Sequence, residues 1–104
     1  MANSWNIPKN LELEIRERDL ICVYCKTEFT SAKVSKKTTA SWEHIINDAK
    51  IITRENIALC CCSCNASKGA KNLSDWLNTK YCLDKNINAE TVSPVIQLAI
   101  QNGQ

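Results

Sequence analysis

The sequence predicts a small α+β domain that is stabilised by a structural zinc ion. The chain has 104 residues, of which only 6% are aromatic, so a hydrophobic core alone would give it modest stability. Two Cys-x-x-Cys pairs have the spacing of a four-thiolate zinc site, namely Cys22 with Cys25 and Cys61 with Cys64. Such a site has no open coordination position, so the zinc would contribute folding free energy and take no part in chemistry.

The other three cysteines flank or follow the second pair. Cys60 and Cys62 lie on either side of Cys61, but their own separation is too short for a zinc knuckle. We interpret Cys60, Cys62 and Cys82 as small apolar residues. Two other interpretations of the pattern are ordinary buried thiols and a redox protein built on Cys-x-x-Cys, and a zinc measurement distinguishes them from a zinc site.

Composition and charge restrict the class of protein. An odd count of 7 cysteines in paired spacing argues against a secreted disulfide framework, and the amino terminus lacks the features of a signal peptide. We therefore expect a cytoplasmic protein in a reducing compartment. No run approaches the roughly 18 apolar residues of a membrane span, so no membrane partner is expected. The net charge of +2 is too small to predict an acidic partner.

The first half of the chain is predicted to contain one helix and one polar loop. Leu11 and Ile15 are four residues apart and Pro8 comes just before them, which indicates an amphipathic helix over residues 9–19. Residues 30–39 are polar and basic without helical periodicity. We expect this segment to be a mobile loop that carries three lysines, Lys33, Lys36 and Lys37.

The middle of the chain is predicted to form a hairpin followed by a helix. Residues 40–46 and 56–60 are the two expected strands, and Asn47-Asp48 is a turn signal between them. A helix is expected to start inside the second cysteine pair, at Ser63, and to stop near Gly69. This order gives a β-β-α unit whose helix begins at the predicted zinc site.

Two further helices are predicted near the carboxyl end. One covers residues 73–83, and the other starts at Ser93-Pro94 and runs to about Gln101. The last helix is apolar over much of its circumference, so it must pack on the core or pair with a second copy in a homodimer. Three aromatic residues are interpreted as core residues rather than base-stacking platforms, namely Trp42, Trp76 and Tyr81.

The hairpin and the helix carry a combined motif. It consists of Trp42-Glu43-His44-Ile45-Ile46, Asn56-Ile57-Ala58-Leu59 and Cys61-x-x-Cys64-Asn65-x-x-Lys68-Gly69, with Arg18-Asp19 ahead of the first cysteine pair. This combination resembles the HNH endonuclease superfamily, whose fold is a two-stranded hairpin and a helix around one catalytic metal (ββα-metal). The resemblance covers residues 16–71 or so. Within a single domain of residues 1–104, it leaves about 72–104 as a helical extension.

The resemblance implies a metal-dependent DNA endonuclease. His44 resembles the general base, and a histidine near its ordinary pKa is mostly neutral at pH 7 and can accept a proton. Asn56 resembles the residue that orients the hairpin loop or the histidine ring. Glu43 and Asn65 resemble the ligands of a catalytic Mg²⁺ or Mn²⁺, ions that prefer oxygen donors. Asp48 is the alternative acidic ligand.

DNA contacts are expected mainly at backbone phosphates. Lys68 lies three residues after Asn65 on the same helical face and resembles a phosphate contact close to the metal. The other expected contacts are lysines of the same region and of the polar loop, namely Lys71, Lys33, Lys36 and Lys37. For the loop lysines, a purely solvated role is an equal alternative.

A second function stays open beside the nuclease. The chain could be a non-catalytic zinc-knuckle module that binds nucleic acid, and His44 could then be a structural residue or a ligand of a mixed zinc site. The feature that favours the nuclease is the set Glu43, His44 and Asn65, because a pure binding module has no need to place these groups around one metal.

Overall fold

The structure, a computed structural model, describes residues 5–103. Its elements in chain order are α1 (Lys9–Arg18), β1 (Ala40–His44), β2 (Ile57–Cys61), α2 (Cys62–Lys68), α3 (Leu73–Leu77), α4 (Lys80–Asp84) and α5 (Pro94–Gln101). The predicted α+β class is confirmed. Residues 1–4, part of the segment on which the signal-peptide prediction rests, lie outside the described residues. Within residues 5–103, every helix is too short or too polar to cross a membrane.

The two strands form an antiparallel sheet, whose register sets the positions of the site residues. Ala40 lies opposite Cys61 at one end, and His44 lies opposite Ile57 at the other. Successive side chains of a strand point to opposite faces of the sheet. Ser41 and Glu43 therefore share the face that contacts α2, whereas His44 points to the opposite face.

The prediction of one continuous helix over residues 73–83 is wrong. The structure has two short helices there, with Asn78 and Thr79 between them. The Thr79 hydroxyl donates a hydrogen bond to the Trp76 carbonyl oxygen at 2.6 Å, and the Thr79 backbone is extended. A threonine side chain that bonds to a nearby carbonyl in this way competes with the regular helical pattern. The chain therefore turns at Thr79 and starts α4.

The last helix packs on the core, which is one of its two predicted outcomes. Ile96 and Ala99 of α5 are buried, and Val92 just before the helix is buried with them. The Ser93 N–H also donates to the Val23 carbonyl oxygen at 2.9 Å, which fixes the start of α5 on the first cysteine pair. Pairing with a second copy stays a prediction.

Trp76 is fully buried in the main core cluster, as predicted. Tyr81 and Trp42 are only partly buried, and they pack at the edges of the two clusters. The prediction of a core position is therefore confirmed for Trp76. It is only partly correct for Trp42 and Tyr81.

The polar segment of residues 30–39 is hydrogen-bonded to its surroundings. Its ends are joined by the bond from the Thr30 N–H to the Thr38 carbonyl oxygen at 3.0 Å. The carbonyl oxygens of Thr39 and Lys37 accept from the first two N–H groups of α2, each at 3.0 Å. The segment thus satisfies N–H groups that a helix start would otherwise leave unpaired. The three lysines of this segment are exposed, namely Lys33, Lys36 and Lys37.

Candidate functional site

The four predicted cysteine ligands form one cluster. The sulfur atoms of Cys22, Cys25, Cys61 and Cys64 all lie within 4.8 Å of one another. The Sγ atoms of Cys25 and Cys61 are 3.7 Å apart. A tetrahedral zinc site with Zn–S bonds of ~2.3 Å has sulfur–sulfur edges of about 3.8 Å, so the cluster fits a zinc ion. Across residues 5–103, it is the only group of at least three potential ligands from His, Cys, Asp and Glu.

Local backbone structure positions both cysteine pairs. Around the first pair, Ile21 bridges to Glu28, and the Cys22 N–H donates to the Thr27 carbonyl oxygen at 2.9 Å. Lys26 completes this tight turn with a φ of 68°. The second pair lies at the junction of β2 and α2, where Cys61 is the residue before the helix.

Two donors point at the sulfur atoms of the second pair. The Cys64 N–H donates to the Cys61 Sγ at 3.4 Å, and the Tyr81 hydroxyl donates to the Cys64 Sγ at 3.4 Å. Hydrogen bonds of this kind orient metal ligands and offset the charge of thiolates. Tyr81 also exchanges a hydrogen bond with the Ser63 hydroxyl at 2.8 Å, so α4 is tied to the start of α2.

The remaining cysteines lie outside the cluster. Cys60 and Cys82 are buried among apolar side chains, as predicted, and burial raises the pKa of each thiol. Cys62 is only partly buried, at the first position of α2.

Arg18 and Asp19 tie α1 to the return strand. The Arg18 guanidinium bonds to Asp19 at 2.7 and 2.9 Å and donates to the carbonyl oxygens of Arg54 and Ile57. Asp19 in turn accepts from the Leu59 N–H at 3.0 Å. This pair therefore fixes the chain just ahead of Cys22 against β2, which brings the two cysteine pairs together.

His44 lies at the end of β1 with its imidazole almost completely buried. Its exposed fraction is 8%, and its Nε2 atom has no hydrogen-bond partner among the described residues. The Trp5 ring packs edge-on against it, with ring centroids 4.9 Å apart. Burial lowers the pKa of His44, and the negative charge of Asp48 opposes that shift. His44 is not among the four clustered ligands, which argues against the mixed zinc site.

Asn56 fixes the loop that follows His44. Its side-chain oxygen accepts from the Ile46 N–H at 2.7 Å. Its side-chain nitrogen donates to the carbonyl oxygens of Ile46 at 3.3 Å and Ile51 at 3.0 Å. Of the two orienting roles that the resemblance implies, these bonds match the one at the hairpin loop.

Glu43 and Lys68 form a buried ion pair between β1 and α2. The Lys68 Nζ lies 3.2 Å from the Glu43 Oε2, and their side chains are only 1% and 5% exposed, respectively. The Tyr24 hydroxyl donates to the same carboxylate oxygen at 2.5 Å, and Lys68 also donates to the Ile45 carbonyl oxygen at 3.1 Å. Burial raises the pKa of Glu43, and the Lys68 charge opposes that shift. This geometry does not match the predicted phosphate contact of Lys68, which needs an ammonium open to solvent.

The predicted site for Mg²⁺ or Mn²⁺ does not fit a divalent ion in this arrangement. Asn65 lies on the same face of α2 as Lys68, and its side-chain nitrogen donates to the Ser41 hydroxyl at 2.7 Å. Asn65 and Glu43 are thus on the same side of β1, as a shared metal would require. However, the Glu43 carboxylate is buried and already bonded to an ammonium and a hydroxyl.

Asp48, the alternative acidic ligand, is in a different environment. It is exposed, it accepts from the Lys50 N–H at 3.0 Å, and it is the carboxylate whose charge acts on His44. The structure therefore separates the two acidic residues. Glu43 is neutralised within the fold, and Asp48 is open to solvent beside the histidine.

Comparisons with models of protein families, with curated proteins and with solved structures gave no match. The structure shows a small α+β domain with a four-cysteine cluster that could hold a metal ion. Membership of the HNH superfamily is therefore a proposal.

Sequence reasoning missed three residues of the site. Tyr24 lies between the ligands of the first pair and reaches Glu43, Tyr81 reaches a ligand sulfur, and Trp5 covers His44. The position of Tyr24 inside a Cys-x-x-Cys pair could have indicated its role, because a residue between two cysteines of a zinc knuckle lies next to the elements that the knuckle joins. For Trp5 and Tyr81, which are distant in sequence from the motif, the sequence contains no comparable signal.

We expect the imidazole of His44 to titrate below its ordinary pKa of 6.5. Between the lowered folded pKa and the unfolded value, the unfolded chain binds more protons, so acidification through that window should lower the free energy of unfolding. His44 is the only histidine, so one imidazole signal in ¹H–¹⁵N spectra reports the titration. Asp48→Asn is the matched variant and should lower the pKa further. A wild-type pKa at or above 6.5 would contradict the buried, neutral imidazole.

Proposed function

We propose that the chain is a metal-dependent DNA endonuclease of the HNH type, in which a four-cysteine zinc ion supports the hairpin and His44 is the general base. Phosphodiester hydrolysis needs a water molecule that is deprotonated as it attacks phosphorus. The neutral imidazole of His44 would accept that proton at Nε2. Asn56 would hold the hairpin loop, and thus the end of β1, in place.

The unpartnered Nε2 atom of His44 is the observation that carries the proposal. Buried polar atoms in folded proteins almost always have a partner, and one without a partner costs about 1–3 kcal/mol. A purely structural histidine would be expected to use both ring nitrogens. A buried ring nitrogen without a partner among the described residues supports the proposal, because a partner such as the attacking water could arrive with the substrate.

Access to His44 requires a local movement. The Nε2 atom is shielded from solvent, and Trp5 lies against the ring while 42% of Trp5 itself is exposed. Displacement of Trp5 would open the imidazole and expose the part of the Trp5 surface that is now buried. The core under β1 and β2 would not need to change.

The zinc ion would preorganise the site without touching the substrate. It would connect the segment ahead of the hairpin with the first turn of α2, and Asn65 comes directly after Cys64 of the cluster. A catalytic residue must be held within a fraction of an ångström by its support. A requirement for Mg²⁺ or Mn²⁺ stays a prediction, because Glu43 does not fit a divalent ion while it is bonded to Lys68.

The second candidate is a zinc-knuckle module that binds nucleic acid without cutting it. The buried pair of Glu43 and Lys68 favours it, because the pair closes the position where the resemblance implies a metal. The two functions differ in one readout. The assay incubates zinc-loaded protein with supercoiled plasmid and Mg²⁺ or Mn²⁺. A nuclease should give nicked or linear DNA with 5′-phosphate ends. A protein that only binds DNA should leave the plasmid intact.

DNA binding should depend on the exposed lysines of the polar segment. Each lost phosphate contact should reduce the slope of log affinity against log salt by about 0.9 on duplex DNA. We therefore expect Lys36→Ala and Lys37→Ala each to reduce this slope, measured by fluorescence anisotropy. Lys80→Ala is the matched control, because the Lys80 ammonium is paired with Asp84 at 2.6 Å on α4. Equal slopes for all three variants and the wild type would show that these loop lysines are only solvated.

A further inference from the structure

The buried ion pair between β1 and α2 places a cation where the proposed function calls for a metal. The Glu43 Oε2 has two partners, the Lys68 ammonium at 3.2 Å and the Tyr24 hydroxyl. The ammonium has a second partner in the Ile45 carbonyl oxygen. Both side chains are almost completely withdrawn from solvent. The position beside Glu43 is therefore occupied by a positive charge that belongs to the chain itself.

The buried carboxylate of Glu43 needs one compensating cation, and a second cation beside the first would be repelled. A carboxylate withdrawn from water is strongly destabilised unless a charge or hydrogen bonds compensate it. The Lys68 ammonium supplies that charge. A divalent ion bound to Glu43 at the same time would lie next to the ammonium, and the two positive charges would repel each other in a poorly screened environment.

We propose that Lys68 is an internal cation that competes with divalent metal ions for Glu43. The inference rests on the proposed function, since that function is what requires an ion such as Mg²⁺ or Mn²⁺ at Glu43. With Lys68 bonded to Glu43, the hairpin and α2 are held together without a second metal. When a divalent ion binds Glu43, Lys68 has to leave.

The position of Lys68 in the helix makes this exchange feasible. Lys68 is the last residue of α2, and the next residue, Gly69, has a φ of 51° and is exposed. The lysine stem can therefore swing toward solvent at a helix end, where no further turn of helix has to open. The released ammonium would then lie near the substrate, where the resemblance to HNH endonucleases implies a phosphate contact.

The test is the affinity of the zinc-loaded full chain for Mn²⁺. This affinity is measured from the electron paramagnetic resonance signal of the Mn²⁺ that stays free in solution. Lys68→Gln keeps a hydrogen-bond donor at this position and removes the charge. We expect it to bind Mn²⁺ at least about tenfold more tightly than the wild type, because one unit of repulsion is removed. Lys80→Gln, which changes an exposed lysine on α4 that pairs with Asp84, should bind like the wild type. Zinc would stay on the thiolates, which Mn²⁺ does not favour as ligands.

A double variant identifies Glu43 as the ligand. Glu43→Gln with Lys68→Gln removes both charges and should lose the gained affinity. Equal Mn²⁺ affinity of wild type and Lys68→Gln, or full retention of the gain in the double variant, would overturn the proposal. If Lys68→Gln does not fold without added Mn²⁺, Lys68→Met is the second variant. For variants that are unfolded without Mn²⁺, the measurement is then the recovery of the folded circular dichroism spectrum when Mn²⁺ is added. Failure of both variants to recover would also overturn it.

The binding readout separates this inference from the proposed function. If Lys68→Gln gains Mn²⁺ affinity through Glu43 and neither protein cuts DNA, the competition is real and the endonuclease proposal fails. If the wild type cuts DNA and Mn²⁺ affinity is the same in both proteins, the endonuclease survives and the role of Lys68 fails.

Discussion

Cys22→Ser and Cys64→Ser should each give unfolded or insoluble protein, whereas Cys62→Ser should fold and keep its zinc. A structural zinc ion contributes on the order of 10 kcal/mol in small domains, which is comparable with the whole stability of ~5–15 kcal/mol of a typical domain. Cys22 and Cys64 belong to the four-sulfur cluster that could hold the zinc ion, and both are buried. Loss of one thiolate opens the coordination shell and removes most of this contribution.

Cys62→Ser is a demanding control because Cys62 lies between two ligands in sequence. Its side chain is partly exposed and is outside the cluster. Elemental analysis should find one zinc per chain in the wild type and in Cys62→Ser, and thermal melts by circular dichroism should nearly coincide. Well-folded wild-type protein without zinc, or Cys64→Ser that melts like Cys62→Ser, would show that the cysteines are ordinary buried thiols.

His44→Ala should lower the rate of DNA cleavage by at least about 10²-fold, the low end for loss of a general base. The fold should persist, since the substitution removes a buried acceptor that has no partner in the described residues. Zinc content and DNA affinity should stay at wild-type values, because His44 is neither in the cysteine cluster nor among the exposed lysines. If His44→Ala keeps its zinc content and its DNA affinity and loses only the cleavage rate, then His44 acts in the chemical step and not in the fold.

The pH dependence of the cleavage rate is a second test of His44 as the general base. The base must be neutral, and burial lowers its pKa, so the wild-type rate should hold as pH falls to 6.5 and decline only below it. Residual cleavage by His44→Ala should lack this step. If the step persists in the variant, another group is the titrating base.

The four-cysteine cluster could be predicted from the sequence because its determinants are local. In each Cys-x-x-Cys pair, a turn or a helix start brings two sulfurs that are three residues apart to the same side, so the spacing defines half of a tetrahedron. The start of α5 at Ser93-Pro94 is also a short-range feature, and the structure places it as expected. Asn56 contacts the hairpin loop, which is one of the two roles that the resemblance implies.

The environment of Glu43 and Lys68 could not be predicted in the same way. Helical spacing puts Lys68 on the face of Asn65, but it does not say whether that face meets solvent or the hairpin. The answer depends on tertiary packing, in which Tyr24 from the first cysteine pair meets Glu43 and closes the interface. The break at Thr79 is similar, since periodicity alone cannot show that a hydroxyl will bond to a carbonyl three residues back.

The most direct test of the nuclease proposal is the cleavage rate of a supercoiled plasmid by zinc-loaded wild type and His44→Ala, prepared in parallel and assayed with Mn²⁺. We predict conversion to nicked or linear DNA by the wild type, inhibition by a chelator of the added ion, and a rate at least about 10²-fold lower for the variant. Equal rates for the two proteins, or an intact plasmid with both while DNA binding is retained, would contradict His44 as the general base and leave a zinc-knuckle binding module.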